Sequence, residues 1–314
     1  MAEKILIMGE SGTGKSTSLR NCNPETTAIV NPVGKPLPFK GSKKFTTLNG
    51  ETSSVRICEF MKAQAKAGKK IIVVDDFQYI LSVPYMDRIK ENGWDKWNDF
   101  GSNYYEIINV CKELPDDVIV YYLTHCETLE NGITTVKLIG KMLREKITIE
   151  GLFTIVLKTG VSEGKYYFFT QNNGKDTVKS PMGMFDAFSI DNDLAYVDAK
   201  IRNYYELSGA VSDDQMSKMD LEKAGDVEKP VRGSRREAAR RRAQEENDQK
   251  PDPVKDEKPE PVEGVKEEVK PQESGTKEDT TPAPEEGRKR RKRRERATGF
   301  VDVPDGIDED LPFV

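Results

Sequence analysis

Residues 9–16 read Gly9-Glu-Ser-Gly-Thr-Gly-Lys-Ser16, and this motif determines the fold class of the chain. It matches the pattern G-x-x-x-x-G-K-[ST] at every fixed position, and Thr17 follows it. The apolar run Lys4–Met8 predicts a buried strand before it, and a helix is expected after it, through about Asn21. This order of strand, glycine-rich loop and helix is typical of a phosphate-binding loop, so a chance glycine-rich turn is the weaker interpretation.

The residue types of the loop suit a nucleotide with its Mg²⁺ ion. Glycines let the backbone wrap closely around a phosphate and aim N–H groups at its oxygens. Lys15 would neutralise the β- and γ-phosphates, Ser16 would supply a hydroxyl to the metal, and the helix N-terminus would add its positive dipole end. The predicted nucleotide-binding residues are Gly9, Glu10, Ser11, Gly12, Thr13, Gly14, Lys15, Ser16 and Thr17.

An acid is expected at the end of a neighbouring buried strand. Ile71–Asp75 is the strongest buried strand of the sequence, because its β-branched residues follow one another without polar alternation. Asp75 is predicted to hold the Mg²⁺ ion together with Ser16. Asp76 is predicted to orient a water molecule, with a solvated or capping carboxylate as the alternative.

Strands alternate with helices along the first 225 residues, which predicts an α/β fold with a mostly parallel central sheet. Polar loop material is expected around Trp94 and Trp97. The other predicted strands are Thr27–Asn31, Lys44–Leu48, Val118–Leu123, and the pair Phe153–Leu157 and Tyr166–Thr170. The predicted helices are Ser53–Lys66, Asn103–Glu113, Val136–Lys146 and Leu194–Glu206.

The composition changes sharply near Gly225. Residues 226–314 contain 45 charged residues among 89, about 51%, against 58 among 225, about 26%, in residues 1–225. So polar a segment buries too little apolar surface to offset the entropy of ordering it. We therefore predict a folded domain over 1–225, a disordered charged linker with basic clusters over 226–299, and an acidic-hydrophobic tip over 300–314.

Other features narrow the class of protein. No apolar run approaches the roughly 18–20 residues that a membrane span needs, and the first residues are too polar for a secretory signal. The four cysteines form no CxxC pair, and His125 is the single histidine, so zinc sites and disulfide frameworks are not expected. A reducing cytoplasm is the expected setting.

Three stretches together resemble a known family. GESGTGKST (9–17), IIVVDDFQYIL (71–81), and a C-terminal pair formed by 140–159 and 164–185 resemble the phage-encoded RecA-like ATPases of the single-strand annealing group. The resemblance covers about residues 3–205. It implies a RecA-like P-loop core, ATP with Mg²⁺, and self-association as a ring or filament. It also implies a role in phage recombination on single-stranded DNA inside a bacterial host.

The resemblance also implies roles for particular residues. RecA-like proteins keep a polar sensor of the γ-phosphate at the end of the strand beside the acidic one, where this chain has Thr124 and His125. Either could act as the sensor, and a plain hydrogen-bonded strand end is the alternative for His125. The predicted catalytic residues are thus Lys15, Asp75, Asp76 and His125.

Two further family features are incomplete in this chain. Lys179 and Gly183 match a stretch that reaches the nucleotide of a neighbouring subunit, but Pro181 stands at the arginine position, and Lys179 as a plain surface lysine is the alternative. The family also carries a glutamate after an early strand, whereas Ile29–Lys35 contains no acid. Either Asp76 replaces this glutamate, or hydrolysis is slow and ATP acts mainly as an assembly switch.

The charged tail carries two candidate interaction segments. The runs Arg235–Arg242 and Arg288–Arg296 have no aromatic residues among them, so they are at most electrostatic binders of DNA phosphates. Asp308–Phe313 resembles the acidic tip of bacterial single-stranded DNA-binding proteins, although Val314 follows the phenylalanine. This tip could dock on a replication partner or on the chain's own basic run. The alternative is that it is an inert end that keeps the protein in solution.

Three functions compete on the sequence alone. The favoured function is an ATP-dependent protein that binds and anneals single-stranded DNA. A motor or loader ATPase is less favoured, because a motor has a helical lid with a sensor arginine after its core. Here residues 186–225 contain a single arginine, Arg202. A small-molecule phosphotransferase is least favoured, because the folded domain lacks an arginine-rich lid. Trp94, Trp97, Tyr104 and Tyr105 are candidates for stacking on DNA bases, with core packing as the alternative.

Overall fold

The structure is a computed structural model that describes residues 1–230 except Trp94, Lys141, Met142, Arg144 and Glu145. Both basic runs and the C-terminal tip lie outside the described residues, as does Trp94. Within the described part of the chain, no helix is both long enough and apolar enough to cross a membrane.

Nine strands form the sheet of the described chain. They are β1 (Glu3–Gly9), β2 (Thr27–Asn31), β3 (Thr46–Asn49), β4 (Ile71–Asp75), β5 (Ile119–Thr128), β6 (Thr134–Val136), β7 (Ile155–Ser162), β8 (Lys165–Phe169) and β9 (Ser189–Asp191). Their order is β3-β2-β4-β5-β1-β7-β8-β9, and β6 pairs with β5. The six strands from β3 to β7 in this order run parallel, while β8, β9 and β6 are antiparallel to their neighbours.

The predicted fold class is confirmed: the core is RecA-like, with the phosphate loop following β1 and one strand, β5, between β1 and the acidic strand β4. Five α-helices are described: α1 (Ser54–Lys66), α2 (Tyr79–Asp87), α3 (Asp95–Asn109), α4 (Leu194–Tyr204) and α5 (Asp213–Lys223). α1, α2 and α3 pack on one face of the sheet, and α4 and α5 pack on the other.

The sheet is buried on both faces, as a parallel sheet between helices requires. Successive residues of β5 contribute to opposite cores: Tyr122 packs with the side of α1 to α3, and Tyr121 with the side of α4 and α5. Tyr104 of α3 is fully buried and stacks on Phe77 with ring centroids 3.9 Å apart. All four cysteines are buried and unpaired, and burial raises the pKa of Cys22 and Cys58 to about 12.

Some predicted elements were wrong in position or type. The segment after the phosphate loop is a six-residue 3₁₀ helix, Ser16–Asn21, and not the α-helix expected there. The helix predicted over Val136–Lys146 does not begin at Val136, which ends the strand β6, whereas Leu143 and Lys146 are helical. The loop expected around Trp97 is helical, since α3 already begins at Asp95. The apolar helix α2 was missed because its side chains show no one-sided periodicity and Pro84 lies inside it.

Candidate nucleotide-binding site

The phosphate loop lies where the carboxyl ends of three parallel strands meet, the usual ligand position in open α/β sheets. In the pairing register Gly9 at the end of β1 lies beside His125 of β5, and Asp75 of β4 lies beside Leu123. These ends surround a cleft of about 240 Å³. The cleft is lined by Ser11, Gly12, Gly14, Lys15, Ser16, Thr17, Lys35, Pro38, Asp76, His125 and Tyr166.

Two glycines hold the loop in a shape that other residues rarely adopt. Gly12 has a φ of 80° and Gly14 a φ of 94°, both in the left-handed region. At Gly9 the restriction is steric, because an added Cβ would lie 1.9 Å from Oγ1 of Thr159 on β7. Thr13 closes the loop onto that strand, with its Oγ1 2.6 Å from Oγ1 of Thr159. The glycine pattern is therefore explained by the loop's own geometry.

Lys15 is folded back into the loop. Its ammonium donates to the backbone carbonyl oxygens of Gly9 at 2.9 Å and Glu10 at 2.8 Å. Burial lowers the pKa of Lys15, and the nearby Asp76 and Asp75 oppose that shift. The ammonium thus lies beside the cleft, held by neutral acceptors that an anionic phosphate can replace.

The two adjacent carboxylates differ in their partners. Asp75 and Asp76 are each 2% exposed. Neither oxygen of Asp75 accepts a hydrogen bond of good geometry from the described residues. Burial raises the pKa of this carboxyl to about 6, although the side chain of Ser16 is close enough to lower it as a hydrogen-bond donor. Asp76 lines the cleft and binds His125, with its Oδ2 2.7 Å from Nε2 of the ring.

The structure distinguishes the two sensor candidates. His125 lines the cleft, and its Nδ1 lies 3.5 Å from the ammonium of Lys15. Thr124 is fully buried on the strand and is not among the residues that line the cleft. The contacts of His125 suit the neutral ring with its proton on Nε2, which donates to Asp76 while Nδ1 accepts from Lys15.

The other predicted functional residues lie elsewhere. Lys179 is exposed, pairs through its backbone with Val156 of β7, and does not line the described cleft. Of the stacking candidates, Tyr104 is core, and Trp97 is half-buried against Phe100 and Tyr85. Tyr105 keeps 37% of its surface exposed.

Three residues of the cleft were missed by sequence reasoning: Lys35, Tyr166 and Pro38. Lys35 enters it from the loop after β2, the position where the family resemblance led us to look for an acid. Its ammonium lies 5.9 Å from the ring centroid of Tyr79. Tyr166 of β8 is the second, and its ring lies against Gly14. Nothing in the local sequence marks Tyr166, because its place depends on the pairing of β7 with β8.

Comparisons with known proteins give little beyond this geometry. No protein-family model and no curated protein matches the sequence. Among solved structures, the chain is similar to a prototypical ATPase from the type III secretion system of pathogenic bacteria, with 11% identity, 51% of each chain covered and a TM-score of 0.33. The chain thus spans about half the length of that ATPase. So limited a likeness says nothing of what this chain binds, and its own strand order and phosphate loop identify the fold.

Proposed function

We propose that the chain binds ATP with Mg²⁺ at the cleft around the phosphate loop and hydrolyses it. The observation that carries this proposal is the convergence of Lys15, Asp76 and His125 on one cleft beside the carboxyl ends of β1 and β4, with Asp75 buried directly before Asp76. Phosphoryl transfer is catalysed mainly by positioning the reacting groups and by stabilising the charge on the transferred phosphate, and these side chains can do both.

The residues present fit the ligand. A buried carboxylate with too few hydrogen-bond donors is costly, and Asp75 has at most the side chain of Ser16 as a donor in the free protein. A divalent cation held by Asp75 and the hydroxyl of Ser16 would satisfy it, since Mg²⁺ prefers oxygen ligands. The left-handed glycines Gly12 and Gly14 and the short bonds of Lys15 to carbonyl oxygens complete a cradle for phosphate oxygens.

The side chains divide the chemistry among them. Lys15 would neutralise the developing charge on the phosphates, and the metal would supply Lewis-acid stabilisation there. Asp76 is the carboxylate that lines the cleft, so it is the group we assign to orient the attacking water. One of its oxygens is bound by His125, and the other is buried without a hydrogen-bond partner among the described residues. The carboxylate would have to turn toward the cleft to hold a water molecule, so slow turnover is expected.

Removing the Lys15 side chain tests the nucleotide site. We expect Lys15→Ala to lower the affinity for Mg-ATP by at least about 100-fold, since a buried charge-assisted contact is lost. Fluorescence titration with a labelled ATP measures the affinity, and circular dichroism checks the fold. Lys40→Ala is the matched control, because Lys40 is exposed in the same loop as Lys35 and does not line the described cleft. Unchanged affinity in a folded Lys15→Ala variant would contradict the assignment.

We further propose that the ATP-bound protein self-associates and binds and anneals single-stranded DNA in phage recombination or replication. The family resemblance supports this role, and the basic runs Arg235–Arg242 and Arg288–Arg296 add electrostatic attraction for DNA. Docking of the tip at 300–314 on a replication partner belongs to the same proposal.

The alternative is a motor or loader ATPase that remodels a replication protein. The position of Arg202 weighs against it. This arginine is 6% exposed and bonds Asp198 and the backbone oxygens of Lys70 and Asp117, which precede β4 and β5. It therefore lies at the opposite end of the sheet from the phosphate loop and is not available as a sensor arginine in this chain.

A further inference from the structure

A second and larger cleft adjoins the phosphate loop. Its volume is about 500 Å³, within the range of small-molecule sites, which is roughly 300–1,000 Å³. Thr17 and Tyr166 line both clefts, so the two adjoin at the end of the phosphate loop. Whatever occupies the phosphate loop therefore has room to extend past Thr17 into this space.

Tyr166 forms the boundary between the two clefts. Its side chain stands on β8 with 44% of the residue exposed, and a Cβ on Gly14 would lie 2.9 Å from its ring. Arg20 lines the second cleft on the side of the 3₁₀ helix, fixed by a hydrogen bond to the carbonyl oxygen of Asn192. An exposed aromatic face beside fixed polar groups is what a planar base and its sugar need for binding.

The far wall of this cleft is a segment that we call the strap, residues 224–227. Its backbone is tied to the edge strand β9: Gly225 donates to the carbonyl oxygen of Ser189 at 2.8 Å. The hydroxyl of Ser189 also donates to the carbonyl oxygen of Val227 at 2.8 Å, and the N–H of Val227 lies 3.1 Å from that hydroxyl. Asp226 pairs with Lys165 of β8 at 2.7 Å.

Gly225 can approach β9 so closely only because it has no side chain. A Cβ there would lie 2.4 Å from Oγ of Ser189. The strap is thus held against β9 as a wall of the cleft, and it directly precedes the charged tail.

We propose that this second cleft holds the nucleoside half of the nucleotide, with the base on the ring of Tyr166 and the strap closing the site. The inference rests on the proposed function, since it places the rest of the same ligand. It gives the start of the tail a part in nucleotide binding.

Comparing Mg-ATP with Mg-tripolyphosphate separates the two halves of the site. Isothermal titration of the full-length chain should show that ATP binds at least about 10-fold more tightly than tripolyphosphate. Tyr166→Ala should weaken ATP binding about 10- to 100-fold and leave tripolyphosphate unchanged, whereas Lys15→Ala should weaken both. Tyr105→Ala, which removes an exposed tyrosine from α3, is the matched control and should change neither.

A second variant tests the strap. Ser189→Ala removes the hydroxyl that bonds Val227 twice, so it should weaken ATP binding about 3- to 10-fold without affecting tripolyphosphate.

Three results would overturn the inference. Equal affinities of the wild-type chain for the two ligands would mean that no group beyond the phosphates is bound. An equal loss of both ligands in Tyr166→Ala would mean that Tyr166 only shapes the phosphate loop through Gly14. No binding of either ligand by the wild-type chain would refute the proposed function together with the inference, and this result is distinct from the first two.

Discussion

The imidazole of His125 lies with its Nε2 2.7 Å from Oδ2 of Asp76. This pair joins His125, inside β5, to the residue after β4, so the two strands hold each other's side chains in place. Since the other ring nitrogen faces Lys15 at 3.5 Å, the pair also connects the acid to the phosphate loop. A change in the contacts of Lys15 with the terminal phosphate can therefore reach Asp76, the group that we assign to orient water, through His125.

Removing the ring should separate hydrolysis from binding. We expect His125→Ala to lower kcat for ATP hydrolysis about 10- to 100-fold, because Asp76 loses the partner that fixes its orientation. Nucleotide affinity should stay within a few-fold, since Lys15 and the glycines are unchanged. Thr124→Val is the control, because Thr124 is fully buried and does not line the described cleft. A larger loss of kcat in Thr124→Val than in His125→Ala would reverse the assignment.

Asp75 should make the stability of the metal-free protein depend on pH. Burial raises the pKa of this carboxyl from 3.8 to about 6, so between these values the folded chain keeps a proton that the unfolded chain releases. Stability contributed by this group is therefore lost as pH rises from about 4 to 6, by up to about 3 kcal/mol.

Asp75→Asn removes that titration. In EDTA above pH 6 we expect the variant to be more stable than the wild type toward urea, and at pH 4 the two should be similar. Wild-type stability that does not fall relative to Asp75→Asn across this interval would contradict the prediction. With Mg-ATP present the order should reverse, because the ionised carboxylate is the form that binds the metal.

Arg202 should be a stability residue and not a nucleotide residue. Arg202→Met leaves the carboxylate of Asp198 buried without its ion-pair partner, which is expected to cost about 3–5 kcal/mol. Urea unfolding measures this loss. Under conditions where the variant is still folded, its affinity for Mg-ATP should equal that of the wild type. A selective loss of ATP binding or turnover would instead support a sensor role and the motor alternative.

DNA binding can be divided between core and tail. We expect a chain ending at residue 230 to bind a single-stranded oligonucleotide at least about 5-fold more tightly with Mg-ATP than without it, near physiological salt. The cut is placed after the strap because Asp226 and Val227 bond the core. The full-length chain should bind more tightly and with a steeper salt dependence, since its basic runs release counterions.

The contradicting result of the DNA experiment is specific. If the shortened chain does not bind and the full-length chain binds equally with and without ATP, then DNA contact belongs to the tail alone. The core would then be better explained as an ATPase that acts on a partner protein.

The parts of the fold that sequence predicted are those with local signals. The phosphate loop and the strand Ile71–Asp75 follow from glycine spacing and from an unbroken β-branched run. The helix α5, in contrast, was not predicted, although Ser212 and Gln215 form a capping box at its start. Its apolar residues are too few to show a stripe, and only Met216 is buried.

The site was predictable where one strand or loop supplies the residue. Asp76 was predicted from the end of β4. His125 was also predicted from a strand end, although β5 continues past it to Thr128 by pairing with β6. The pairing of these two side chains, the approach of Lys35 and the position of Tyr166 depend on how separate segments meet, and a single sequence carries no signal for such contacts. Where the resembling family carries a glutamate after β2, this chain has Lys35 in the cleft.

The four buried cysteines have a practical consequence. Burial raises the pKa of Cys22, Cys58, Cys111 and Cys126, so little thiolate exists at neutral pH to react with a maleimide. A cysteine introduced at a chosen tail position would then be the site that takes a fluorophore in the folded protein. The wild-type chain thus already serves as the unreactive background for labelling the tail and following its distance from the core.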